Sequence, residues 1–227
     1  MKIAILILTH NAPRYVFKTI KSFTKFTAKS YYRKLDIETE LIIVDNKSKF
    51  LTRFLLKTLY KKGIIDKLYL NNKNDLFAKG NNIAASLSSS EVTHYLLLNS
   101  DIEIKSQDWL EKLTTIYPAN EGISSFGAVL TDPIRADGYC MLINKKLYDK
   151  YQLDEHYQWW WSVTKLESEI LKDGFKINAV NNHEEYLHHF GGKSGKGYKD
   201  AKNMNIPLNE VINWFKNTNS VNIIDKI

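Results

Sequence analysis

Four short, largely apolar runs divide the first hundred residues, and polar residues follow each of them. They occupy residues 3–8, 41–44, 67–70 and 95–98. Continuous runs of this length, with no polar alternation, are typical of strands that are covered on both faces, as in parallel sheets. The pattern therefore predicts four buried strands.

The segments between these runs have apolar residues at helical spacing. In residues 15–26, Val16, Ile20 and Phe23 fall on one helical face. Residues 51–62 read as a second helix, which Gly63 closes, and residues 82–87 as a third. Alternating strands and helices predict an α/β fold with a mostly parallel, Rossmann-like sheet that is flanked by helices.

The second half of the chain is less regular. Its pattern predicts two helices and three strands, namely helices at 108–117 and 166–172 and strands at 123–129, 139–143 and 175–180. The segment from residue 199 is polar and has one amphipathic stretch at 211–215. No repeat or low-complexity linker interrupts the chain, so we expect a single domain over residues 1–227.

Composition limits the class of protein. Of the 227 residues, 44% are hydrophobic and 25% are charged, which indicates a folded domain. The net charge of +7 favours acidic partners such as nucleotide phosphates, an anionic membrane surface or nucleic acid. The single Cys140 excludes an internal disulfide, and no apolar run approaches the ~18–20 residues that a membrane span needs. We expect a cytoplasmic protein, and its charge is compatible with peripheral membrane contact.

Acidic and amide side chains follow two of the predicted strands. Asp45 ends the second strand, and Asn99 and Asp101 follow the fourth. Ligands of such sheets bind in the crevice at the carboxyl ends of the strands. A carboxylate there suits Mg²⁺ or Mn²⁺, which complete their coordination shells with water and substrate phosphates. An ordinary Asn-Ser-Asp turn explains Asn99–Asp101 equally well.

Seven segments, in the same order along the chain, resemble motifs of the family 2 glycosyltransferases with a GT-A fold. These are nucleotide-sugar-dependent enzymes that include rhamnosyltransferases. The segments are residues 7–11, 43–48, 77–82, 99–101, 153–155, 172–177 and 189–194. The resemblance implies a hexosyl- or deoxyhexosyltransferase that moves a sugar from a nucleotide diphosphate-sugar, with UDP- or TDP-sugars favoured, to a hydroxyl acceptor. It also implies inversion at the anomeric carbon.

The resemblance further implies roles for individual residues. Asp101 would bind a divalent metal, Mn²⁺ or Mg²⁺, with His189 as a second ligand. The donor-binding residues would be Thr9, Asn11, Asp45, Lys79, Asn82, Asn99 and Ser100. The acceptor-binding residues would be Asp154, Glu155, Trp160 and Trp161. In this scheme residues 1–104 bind the nucleotide sugar, residues 105–198 bind the acceptor, and residues 199–227 form a tail.

The sequence leaves two classes of acceptor open. A glycan is the default for the family, while the positive charge and the indoles at 159–161 leave room for a nucleic acid in which a modified base carries the hydroxyl. Three consecutive indoles cannot all face inward from one element, so at least one is expected to reach a pocket or an interface.

One position departs from the family pattern. The aspartate that would act as general base falls on Val163, which cannot accept a proton. Glu167, one helical turn later on the same face, is the candidate substitute. Three alternatives remain: an acceptor that needs no strong base, a reaction that retains configuration and uses the leaving phosphate as proton acceptor, and a catalytically weak or inactive module that binds nucleotide sugar, glycan or nucleic acid.

Overall fold

A central eight-stranded sheet organises the computed structural model, which describes residues 1–119, 121–193 and 204–227, with only the backbone at 29 and 30. Its strand order is β12-β10-β6-β9-β4-β1-β2-β3. The strands of the protein are β1 (Lys2–Thr9), β2 (Glu38–Asn46), β3 (Lys67–Asn71), β4 (His94–Leu98), β5 (Ile102–Ile104), β6 (Gly122–Phe126), β7 (Ala128–Val129), β8 (Arg135–Ala136), β9 (Cys140–Asn144), β10 (Lys176–Val180), β11 (Leu187–His189) and β12 (Asn222–Ile224). The helices are α1 (Pro13–Phe26), α2 (Lys29–Arg33), α3 (Phe50–Lys61), α4 (Leu76–Ser86), α5 (Trp109–Thr115), α6 (Lys145–Tyr151), α7 (Trp160–Lys172) and α8 (Leu208–Trp214).

The predicted mostly parallel α/β sheet is confirmed. Strand β1 pairs in parallel with β2 and with β4, and β2 pairs in parallel with β3. Strand β9 is the exception, since it runs antiparallel between β4 and β6. This exception brings the start of β9 next to the end of β4, where the backbone N–H of Asn99 donates to the carbonyl of Tyr139 at 2.9 Å.

Both faces of the sheet are covered, as the continuous apolar runs predict. Along β1, Ile3, Ile5 and Ile7 point into one core layer, whereas Ala4 and Leu6 point into the other. All five are fully buried. Side chains of a strand alternate between faces, so a strand buried on both sides needs an unbroken apolar run.

Two small sheets lie beside the central one. Strand β11 pairs antiparallel with β5, and β7 pairs antiparallel with β8. Both strands of the first pair are only three residues long, and the apolar pattern did not reveal them. Their pairing nevertheless sets the geometry of the candidate site.

Several helix boundaries differ from the predicted ones. Helix α7 starts at Trp160 rather than at 166, since Val163, Leu166 and Ile170 continue one buried face toward its N-terminus. Helix α4 starts at Leu76, six residues before the predicted helix, and α6 was not predicted.

The tail beyond residue 203 packs against the rest of the chain. Strand β12 adds an edge to the sheet by pairing with β10, and the Trp214 ring in α8 lies 4.9 Å from that of Tyr157. Residues 199–203 of the predicted tail, and Ser194 of the last family-like segment, lie outside the described residues. In the described part of the chain, no helix combines the length and the apolar character that crossing a membrane requires.

Candidate active site

The carboxyl ends of the central strands bring the first candidate residues together. Parallel pairing of β1 with β2 places Thr9 opposite Asp45. Strand β4 lies on the other side of β1, so the polar segment that follows Leu98 reaches the same edge of the sheet. The clustering that the sequence predicts at this edge therefore follows from strand order and register.

Asp101 and His189 form the centre of this edge. Because β11 pairs with β5 in a register that matches His189 to Ile102, His189 lies beside Asp101. The distance from His189 Nε2 to Asp101 Oδ1 is 3.4 Å. Asp101 is almost completely buried, and its second oxygen, Oδ2, accepts a hydrogen bond from the Lys193 amide at 2.9 Å.

The two facing atoms are suited to hold a cation. Apart from this mutual 3.4 Å contact, neither Asp101 Oδ1 nor His189 Nε2 has a hydrogen-bond partner among the described residues, although both atoms are shielded from water. Since buried polar atoms rarely stay unsatisfied, a cation bound between the two atoms would satisfy both. Burial raises the pKa of Asp101, but the adjacent His189 and the Lys193 amide outweigh this effect and lower it overall. Asp101 is therefore charged at neutral pH, as a metal ligand must be.

The protein alone would supply few ligands to a metal ion. Among the described residues, no group of three or more His, Cys, Asp and Glu side chains could hold a metal ion. Two protein ligands fit a cation such as Mg²⁺ or Mn²⁺ that takes its remaining ligands from phosphate oxygens and water. The residues present thus fit a metal that arrives with a diphosphate better than a permanent protein-only site.

Asp45 is enclosed by donors from three segments. Its oxygens accept from Thr9 Oγ1 at 3.3 Å, from the Ser48 amide at 3.1 Å and from Arg53 Nε at 2.8 Å. The carboxylate itself is fully buried. Asp45 thus fixes the end of β2 against α3, and Thr9 is the member of this pair that lines the cleft.

Asn11 also has local partners. Its side-chain oxygen accepts from the backbone N–H of Lys49 at 2.9 Å, and its backbone N–H donates to Ser48 Oγ at 2.6 Å. The backbone of Asn11 adopts a left-handed conformation with φ of 59°, which Asn tolerates better than most residues. Asn11 therefore holds the turn after β1 against the turn after β2.

Two adjoining hollows lie along this edge. A smaller one of about 70 Å³ is lined by residues that include Thr9, His10 and Asn46, and a larger one of about 600 Å³ by residues that include Asp101 and His189. Both are lined by Asn99, Phe77 and Trp159. The larger volume lies in the usual range for small-molecule sites.

Asn99 and Ser100 lie between the two hollows. Asn99 lines both of them and Ser100 the smaller one. Ser100 Oγ is buried and has no hydrogen-bond partner in the described part of the chain, so it is a further unsatisfied polar atom at this edge. Both predicted positions are brought to the cleft.

Lys79, Asn82, Asp154 and Glu155 do not line the cleft. Asn82 bridges α4 to the loop before α7, because its Nδ2 donates to the Leu153 carbonyl at 2.9 Å and to Glu155 Oε1 at 3.3 Å. Lys79 Nζ lies 4.0 Å from Glu155 Oε2. Asp154 accepts from the backbone N–H of His156 at 2.9 Å. The contacts of Asn82, Lys79 and Glu155 thus join α4 to the loop before α7, whereas that of Asp154 is local to this loop.

The three indoles take different positions. Trp160 is half exposed and lines the larger hollow, as does Trp159. Trp161 instead donates its ring N–H to the Met204 carbonyl at 2.8 Å, which fastens the tail to α7. The expectation that at least one indole reaches a pocket is confirmed.

Glu167 does not fit the predicted role of acceptor base. Its side chain is fully buried, and its Oε2 accepts from the Ala136 amide at 3.0 Å. Burial raises the pKa of Glu167 well above its ordinary value, which disfavours the charged form that a general base requires. It lies one turn further into the helix than Val163, beneath the β8 backbone rather than in the cleft.

Sequence reasoning did not select three residues that line the larger hollow, namely Arg135, Asp137 and Tyr139. The Tyr139 ring lies 4.4 Å from the ring of His189 and buttresses it. A signal for Asp137 was present, since Asp137-Gly138 precedes a predicted strand, but only the antiparallel placement of β9 shows that this strand starts at the site.

Comparison with known proteins identifies the family and the fold. The model of the family described as Glycosyl transferase family 2 matches residues 4–132. No curated protein sequence matches the chain. Residues 1–349 of S. aureus TarS share its fold with a TM-score of 0.65 and 13% identity, over 96% of this chain and 71% of that one.

Two further solved structures share the fold. The mannosyltransferase PcManGT from Pyrobaculum calidifontis, in complex with GDP-Man and Mn²⁺, has a TM-score of 0.63 and 13% identity over 77% of this chain and 53% of that one. GalNAc-T7 with UDP, GalNAc and Mn²⁺ has a TM-score of 0.62 and 13% identity over 78% of this chain and 42% of that one. The chain therefore spans about half the length of these two proteins. Since the family model covers more than half of the chain, and the mostly parallel sheet shares the fold of these solved structures, the chain belongs to glycosyl transferase family 2 and has the GT-A fold.

Proposed function

We propose that this protein transfers a sugar from a nucleoside diphosphate-sugar to a hydroxyl acceptor with the assistance of a divalent cation. The observation that carries the proposal is the pair Asp101 Oδ1 and His189 Nε2, which lie 3.4 Å apart at the edge of a cleft of about 600 Å³ and have no other hydrogen-bond partner in the described part of the chain. A UDP- or TDP-sugar is the favoured donor class.

The donor would lie across the two hollows. The nucleoside would lie over the smaller hollow near Thr9, and the diphosphate would pass Asn99 and Ser100 toward Asp101. Ser100 Oγ, which has no hydrogen-bond partner among the described residues, would donate a hydrogen bond to a phosphate oxygen. The sugar would then enter the larger hollow, where Trp160 offers an aromatic face.

Asp101 and His189 would hold the cation, Mn²⁺ or Mg²⁺. A cation bound there supplies charge neutralisation to the diphosphate as it leaves the anomeric carbon. The Lys193 amide orients Asp101 by hydrogen bonding to its other oxygen, and the Tyr139 ring packs against His189. Such contacts behind a ligand fix its orientation and tune its basicity.

The lining of the larger hollow is the basis for the proposed acceptor class. We favour a glycan, since aromatic residues of the larger hollow suit a sugar ring. A nucleic-acid acceptor would instead use the net positive charge, and its binding would weaken steeply as salt rises. Transfer to a short oligosaccharide that changes little between 50 and 200 mM NaCl would favour the glycan.

Nucleotide binding tests the proposal. We would measure the melting temperature with UDP, TDP, GDP and CDP, each with and without Mn²⁺. One nucleotide at about a hundred times its Kd should stabilise the fold by about 2.7 kcal/mol. The gain should require Mn²⁺ and disappear in Asp101→Ala, but persist in Asp225→Ala, which removes an exposed carboxylate elsewhere. No stabilisation by any of the four nucleotides would refute the proposed function.

A second candidate function is a module that binds the donor without turning it over. Val163, at the position of the family base, is the observation that favours it. This candidate predicts metal-dependent nucleotide binding without release of nucleotide from a bound donor, and release only in Val163→Asp.

A further inference from the structure

The residue at the family's base position contacts a second segment of the cleft. Val163 lines the larger hollow and packs directly on Gly138. A Cβ atom added at Gly138 would lie only 2.7 Å from Val163 Cγ2 and 2.8 Å from Cγ1. The backbone of the loop between β8 and β9 therefore lies against the methyl groups that replace the expected carboxylate.

That loop carries its own carboxylate next to the contact. Asp137 immediately precedes Gly138 and lines the same hollow as Val163. Of the described residues that line this hollow, only Asp101 and Asp137 carry a carboxylate. Asp101 is committed to the cation site, and Glu167 is enclosed in the core. Among the described residues, Asp137 is thus the remaining carboxylate that lines this hollow and could accept a proton.

The backbone holds Asp137 in a defined position. Its amide donates to the Gly127 carbonyl at 2.9 Å, and its carbonyl accepts from Ser125 Oγ at 2.6 Å. Burial raises the pKa of Asp137, while the charges of His189, Arg135 and His183 and the Gly138 amide compensate for it only in part. Asp137 lines the same hollow as His189 and Asp101, so it shares the cleft with the proposed cation site.

We propose that Asp137 is the catalytic base of this chain, in place of the family aspartate that Val163 replaces. The inference rests on the proposed function and adds the group that activates the acceptor. The acceptor hydroxyl gives its proton to the Asp137 carboxylate, and its oxygen forms the bond to the anomeric carbon. The bond between that carbon and the diphosphate oxygen breaks, and the oxygen keeps the electron pair. In this proposal the base lies on the loop between β8 and β9, which packs on α7, rather than on α7 itself.

Donor turnover with water as the acceptor tests this assignment without a known acceptor. Release of nucleoside diphosphate would be measured from UDP-glucose, UDP-N-acetylglucosamine, TDP-rhamnose and GDP-mannose in the presence of Mn²⁺. Asp137→Asn should lower kcat by about 10²–10⁴-fold, the usual contribution of a positioned base. The Kd of the nucleotide should stay within about twofold, because Asp137 is assigned to the acceptor rather than to the donor.

A matched control and a rescue variant complete the experiment. Asp132→Asn makes the same change at an exposed position of the preceding loop and should leave kcat unchanged. Val163→Asp in the Asp137→Asn background returns a carboxylate to the adjoining position and should recover at least tenfold of the lost rate. A structural role for Asp137 would not give this recovery.

The outcomes separate the inference from the proposed function. Nucleotide binding with Asp137→Asn turnover within threefold of wild type would overturn the inference alone. A wild-type protein that binds donor but releases no nucleotide would also overturn it, since a positioned base should activate water. Failure of wild-type protein to bind any nucleotide would overturn both.

Discussion

His94, the first residue of β4, provides a quantitative test of the structure. The residue is 9% exposed, and its ring packs edge-on against that of Tyr117, with ring centroids 5.0 Å apart. Burial, assisted by the positive N-terminus, lowers the pKa of His94 from 6.5 to about 4. The imidazole is consequently neutral in the folded protein at pH values where the unfolded chain already carries the proton.

The sign and size of the effect follow by linkage. Between pH 6.5 and about 4 the unfolded state binds one more proton than the folded state, so the free energy of unfolding falls as the pH falls through this range. With these two pKa values, His94 removes about 2 kcal/mol of stability between pH 7 and pH 5. The full loss, below pH 4, is about 3 kcal/mol.

Urea denaturation at pH 7 and pH 5 measures this contribution. His94→Gln removes the titrating group, so its loss of stability over this interval should be about 2 kcal/mol smaller than that of the wild type. Tyr117→Phe is the control, because it keeps the ring that covers His94. Tyr117, whose pKa burial raises to about 12, does not titrate in this range, so the variant should keep the wild-type pH dependence. Equal losses in wild type and His94→Gln would show that His94 is not buried as described.

Three further predictions concern packing and charge around the site. Gly138→Ala should lower the free energy of unfolding by about 1–3 kcal/mol, because its Cβ would clash with Val163. Adding Val163→Ala should recover most of this loss, as measured by urea denaturation. Additive effects of the two substitutions would contradict the contact. Arg53→Met should lower the free energy of unfolding by roughly 3 kcal/mol, because it leaves the Asp45 carboxylate without its charged partner. Adding Asp45→Asn should restore much of this stability. An Arg53→Met variant as stable as the wild type would mean that the ion pair contributes nothing. For Glu167, whose folded pKa is raised, the folded state keeps a proton that the unfolded state loses above about pH 4.5, so wild-type stability falls as pH rises. Glu167→Gln should therefore gain stability relative to wild type from pH 5 to pH 8, and a constant difference would contradict the buried, protonated state.

The apolar pattern determined most of the first half of the fold. Strands β1, β2 and β4 are buried on both faces, and only continuous apolar runs satisfy that environment. The polar residues that follow these strands indicated the functional edge, since the carboxyl ends of parallel strands meet there. Asp101 and His189 were accessible to sequence reasoning through the family resemblance, which includes both segments.

The tertiary structure decided what depends on contacts between distant segments. Short strands such as β5 and β11 bury too few residues to leave a periodic signal, yet their register sets the distance between Asp101 and His189. Helical spacing pointed to Glu167 as the substitute base, but spacing gives only the direction of a side chain, and the β8 backbone covers this one. Asp137 lies 26 residues before Val163 in the chain. Only the antiparallel insertion of β9 brings its loop against α7, because side chains that share a cleft are selected by packing in space rather than by separation in sequence.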